Sequence, residues 1–187
     1  VARGPFSAHR DGSIGCRLPG GLRRVLAAEM HQLDELLTTT AAPAAGAAPP
    51  DPLAELTGMT SLEDRAVPVD PALRRLRPEA YAAEVDDGRA ADEYRRLAGG
   101  ELEALQRARV RVVLDSLSRG DRFDLDQGEA QSWVGALNDL RLMLGSRLGI
   151  VDDEFSGVEP SPVLQLFLLL GELLHTLLVA LGAPDDL

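Results

Sequence analysis

The run VLQLFLLLGELLHTLLVAL, residues 163–181, sets the strongest limit on how this chain can fold. A helix this long and this apolar either crosses a bilayer or is enclosed by neighbours. At about 100° per residue, Gln165, Glu172 and Thr176 fall on one narrow stripe, with His175 at its edge. An ionisable group at the centre of a bilayer costs roughly 2.5–3.5 kcal/mol even on insertion scales. Arginine-rich flanks are also missing. The segment therefore reads as a helix buried over most of its circumference, in a protein with no membrane contact. Its apolar surplus would also suit a symmetric homodimer.

A buried helix needs others around it, and the remaining sequence supplies them. The 187 residues suit one domain, 1–187, large enough for a real core. Leu and Ala are plentiful and aromatics make up only 4 %, which favours helices packed through aliphatic side chains. The expected fold is mainly α, a helical bundle with a small N-terminal β-hairpin. The hairpin spans 6–18, with Asp11-Gly12 at its turn and Ile14, Cys16 and Leu18 alternating onto one face. A first helix over 21–38 buries Leu22, Val25, Leu26, Leu33, Leu36 and Leu37. The Ala/Pro-rich tract at 40–68 cannot be helical through its prolines and reads as a disordered loop. Short helices follow at 70–81, stopped by Pro78, and at 89–98, ended by Gly99-Gly100. Another over 101–118 turns Leu102, Leu105, Val112 and Val113 inward. Asp126 and Glu129 have capping-box spacing and open a helix that ends at Gly149. Pro160 or Pro162 opens the last one.

The helix after Asp126 poses the chemical question. Trp133, Leu137, Leu140, Leu144 and Leu148 share one face, yet WVGALNDLRLMLGSRLGI (133–150) also carries Asn138, Asp139, Arg141 and Arg147. Enclosed arginines need anions or carbonyls. Glu29 on the first helix and Glu172 on the last are the obvious carboxylates. Two readings follow. Glu29 or Glu172 clasps Arg141 in a buried polar node, with Asn138 on backbone groups and Gly145 admitting a neighbouring backbone. Alternatively, Arg141, Asn138 and Arg147 line a small-molecule or metal pocket, or the site of an enzyme, with Glu29 and Glu172.

Other chemistry is thinly represented. Glu172 and His175 have the Glu-x-x-His spacing of helical di-iron sites, but the second pair is missing, so no metal is expected. DLDQGE (124–129) has Gly135 where a calcium loop needs its closing Glu. No Ser-His-Asp, Cys-His or zinc-spaced set appears, and no cofactor is implied. The net charge of −11 argues against independent binding to DNA and suits a basic protein partner. Arginines do recur locally, at 74, 75 and 77, at 95 and 96, and at 107, 109 and 111, where helix surfaces balanced by acids explain them. SRGDRFDLDQGE (118–129) is too long for the turn of a helix-turn-helix unit. The single cysteine, Cys16, excludes a disulfide within the chain, and a free thiol fits a reducing cytoplasm. The N-terminus lacks the layout of a signal peptide.

Trp133, NDLRLMLGSRLGI (138–150) and Asp152-Asp153, together with LRRLRPEAY (73–81), DEYRRL (92–97) and the apolar last helix, carry a resemblance over nearly the whole chain. The sequence resembles the actinobacterial domain-of-unknown-function family number two thousand and seventeen, which includes the AosR-type oxidative-stress transcription regulators. The resemblance implies a cytoplasmic, non-enzymatic regulator or adaptor acting in stress response through RNA polymerase or a sigma factor. AosR-type sensing uses two cysteines six residues apart. With Cys16 alone, any redox role has to run between chains or through modification of that thiol.

Overall fold

The computed structural model describes residues 4–39, 70–76, 88–150 and 159–182, with the backbone alone over 88–100. The expected loop at 40–68, the turn at Pro78 and Asp152-Asp153 lie outside the described residues, as do the side chains of Arg74, Arg77, Arg95 and Arg96. The elements in chain order are β1 (Phe6–Ala8), β2 (Ile14–Arg17), α1 (Gly20–Thr39), α2 (Pro71–Leu76), α3 (Gly88–Ser118), β3 (Arg122–Leu125), α4 (Gln127–Arg147) and α5 (Pro162–Ala180). The protein is mostly helical with a small antiparallel sheet.

The hairpin forms where Asp11-Gly12 places it. Asp11 accepts hydrogen bonds from the backbone N–H of Ser13 at 3.0 Å and from its hydroxyl at 2.7 Å, while Gly12 takes a φ of +84° that a side chain would resist. The sheet has a third strand, however. β3 pairs with β2, setting Ile14 opposite Leu125 and Cys16 opposite Phe123. The stretch expected to be a plain linker alternates Arg122, Phe123, Asp124, Leu125, and strand pairing buries Phe123 and Leu125 beside Phe6, Ile14 and Cys16. The rings of Phe6 and Phe123 then flank Trp133 of α4, with centroids 5.9 and 5.8 Å away.

α4 is the central rod. It packs on α2, α3 and α5, and more lightly on α1 and β3. Its N-cap is the expected capping box: Asp126 accepts from the N–H of Glu129 and Glu129 accepts from that of Asp126. Arg119 grips Glu129 and donates to the Asp124 carbonyl at 3.1 Å, joining the end of α3 to the start of α4. Trp133, Ala136, Leu137, Leu140, Met143 and Leu144 are buried.

Three expectations about helices are corrected. α3 runs unbroken through Gly99-Gly100. Glycine costs a helix about 1 kcal/mol against alanine, which long helical flanks outweigh. On the same helix Leu105 is exposed and the core takes Val110, Val113 and Leu117; on α1 Val25 is exposed and Met30 is buried in its place. Finally, α5 is not enclosed. It buries Phe167, Leu170, Leu173 and Leu177 against α4 and β1, leaving Val163, Leu168, Leu169 and Val179 exposed. By length and composition it is a helix that could span a membrane.

Candidate functional site

The buried polar groups collect between α3 and α4. Glu103, Gln106 and Asp139 are buried, and Arg109 lies at the margin. Positions 103, 106 and 110 share one face of α3, so an otherwise apolar contact strip admits a glutamate and a glutamine. On α4, Gly135 stands one turn before Asp139. A Cβ at Gly135 would come within 2.7 Å of Cδ and Nε of Arg109, so the missing side chain is what lets that arginine lie along α4. Gln106 donates to the Leu76 carbonyl of α2 at 3.3 Å, so three helices meet here.

Burial pushes the Asp139 carboxyl up to about 6, against the opposing pull of Arg109 and of the Gln106 side chain. Oδ2 of Asp139 and Oε1 of Gln106 are both buried with no hydrogen-bond donor. Both oxygens can only accept while the carboxyl is ionised, so the site favours the protonated acid as pH falls toward 6. The contact between helices thus holds a carboxyl that titrates higher than usual, and the sequence points to it only in part. Asp139 was singled out in the sequence, whereas Gln106, Glu103 and Arg109 were not. The signal for them was polar residues at core spacing on α3.

The other residues singled out in the sequence separate. Among the described residues no ion pair or hydrogen bond joins Arg141 to Glu29 or Glu172, so the expected clasp is not the arrangement found. Glu172 is exposed on α5 and Glu29 is half-buried on α1. Arg141 instead lies over the Phe167 ring, 4.8 Å from its centroid. The same ring fills the space above Gly145, where a Cβ would stand 3.1 Å from it. A ring, not a backbone, is what Gly145 admits, and a guanidinium over an aromatic face is a favourable contact in its own right. Asn138 is exposed. Arg147 is exposed too and donates to Gln32 of α1 at 3.2 Å.

Cys16 is enclosed on the inner face of the sheet, and burial pushes its thiol up to about 12. It is a protonated, apolar packing group at neutral pH. The outer face of the same sheet holds an open hollow of about 410 Å³. There His9 reaches across Gly15 to Asp124, at 3.3 Å, and Arg17 and Arg122 stand directly opposite each other on β2 and β3. Among the described residues no three His, Cys, Asp or Glu side chains gather as metal ligands.

A mainly helical scaffold with a small three-stranded antiparallel sheet is the class of protein these features define. The chain belongs to the family described as a domain of unknown function (DUF2017), whose model matches residues 3–181. It is similar to the oxidative stress regulator AosR of Mycobacterium tuberculosis (strain ATCC 25618 / H37Rv), 35 % identical over 113 residues, covering 54 % of this chain and 51 % of that one. The AosR of Mycobacterium bovis matches to the same extent. The chain thus spans about half the length of the curated relatives it matches. No solved structure matches it.

Proposed function

We propose that this protein is a non-enzymatic, cytoplasmic regulator or adaptor of the stress response that acts by binding a protein, with RNA polymerase or one of its sigma factors as the partner. The observation that carries this reading is the relationship to proteins named oxidative stress regulators. The charge supports it from a second direction. At −11, the chain repels the phosphate backbone and attracts a basic protein surface. Any redox role of Cys16 has to begin from a buried thiol whose pKa burial raises to about 12.

Capture of the tagged chain from native lysate of its source organism, under reducing conditions, tests the proposal. Co-purification of RNA polymerase together with a sigma factor is expected. Recovery of neither subunit, from lysate in which both are present and the chain is folded, would contradict it.

A further inference from the structure

The outward side of α5 carries a regular exposed stripe. Viewed down the helix, the residues opposite the buried Phe167, Leu170, Leu173 and Leu177 form one exposed stripe: Gln165, Leu168, Glu172, His175 and Val179. Leu168 and Val179 are 50 % and 42 % exposed, and they sit in the middle of that stripe rather than at the margin of the core. Between them lie Glu172 and His175, whose side chains have no ion pair or hydrogen bond among the described residues. Gly171 borders the stripe with open space above it, which leaves room for a neighbouring backbone.

We infer that α5 docks antiparallel on α5 of a second copy, about a two-fold axis passing between Leu173 and Leu174. This register places Leu168 against the partner's Val179, and Glu172 against the partner's His175, twice each by symmetry. From Leu168 to Val179, apolar meets apolar and acid meets base. An isologous contact has to be complementary to itself, and few arbitrary sequences meet that demand. The order Leu, Glu, His, Val at spacings of four, three and four residues does. A lipid surface fits the same face less well. It would bury two unpaired ionisable groups at the centre of the contact, which apolar lipid cannot satisfy. An anionic bilayer would in addition repel a chain of charge −11. The inference is independent of the partner proposed above, since self-association does not require polymerase.

A single helix stripe lies at the small end of specific interfaces, so a dissociation constant of about micromolar is expected. Two single variants of the full chain, L168C and V179C, test both the contact and its register. Mixed and exposed to mild oxidant, they should form a covalent dimer of twice the 20.0 kDa chain mass, whereas each variant alone should not. Under the proposed axis, position 168 is about 16 Å along the helix from its own symmetry mate, because each residue advances 1.5 Å. Buried Cys16 does not compete. E172K should weaken self-association at least about tenfold, and adding H175E should restore it. The inference is overturned if the mixture cross-links no better than the single variants, or if the wild-type mass stays at one chain well above micromolar concentration. A monomer that binds neutral vesicles would assign the face to lipid, and a monomer whose L168C thiol is shielded from maleimide would assign it to another segment of this chain. Either result also overturns it.

Discussion

Asp139 is the residue whose chemistry the fold changes most. Its folded carboxyl releases its proton at about 6, where an unfolded aspartate does so near 3.9. The folded state therefore binds more protons than the unfolded state between about pH 4 and 6, and stability must fall as pH rises through that window. The neutral isostere removes this loss. D139N should be more stable than wild type at pH 7 by about 1–3 kcal/mol, and the difference should vanish near pH 4. Urea unfolding at several pH values measures both. G135A pushes Arg109 away from the carboxylate and should raise the Asp139 pKa further, read by the same pH profile. Cys16 makes a second residue-scale case. With its thiol near 12 and its side chain enclosed, native protein should react with a soluble disulfide reagent far more slowly than unfolded protein, and labelling should track global unfolding. Rapid native labelling would place the thiol at the surface.

Among the elements, α4 depends most on its start. D126A removes the acceptor for the Glu129 N–H and should cost about 0.5–2 kcal/mol, visible as a lower denaturation midpoint with an unchanged slope. This cap was legible in the sequence because Asp126 and Glu129 carry their partners within three residues. The hairpin turn was legible for the same reason, as was the burial of Trp133, Leu137, Leu140 and Leu144, which follows from periodicity. What local pattern could not show was pairing at a distance. β3 is four residues whose alternation becomes a strand only beside β2, more than a hundred positions earlier. The clasp of Arg141 with Glu29 or Glu172 failed on the same ground. A guanidinium on an apolar helix demands company, but sequence cannot say whether a carboxylate or the Phe167 ring provides it. The Gln106–Asp139 contact needed the mutual rotation of α3 and α4, which no single helix encodes.

At the scale of the whole molecule, the described side chains divide into an apolar interior and a largely polar surface. The core is one continuous cluster running from Phe6 and Trp133 through Met30 and Leu140 to Leu173, and the polar contact at Asp139 is sealed within it. Outside it, among the described residues, lie the exposed stripe of α5 and Arg17 and Arg122, opposite each other on β2 and β3, and the sequence carries an excess of acid. The proposed role is contact with a protein partner. Equilibrium binding of the purified, full chain to RNA polymerase reconstituted with individual sigma factors, at low and at physiological salt, tests that claim most directly. Saturable binding to one such complex is expected, weakened as salt rises, with no comparable binding to naked promoter DNA. Tight, salt-sensitive binding to the DNA alone, with no affinity for any polymerase complex, would contradict it.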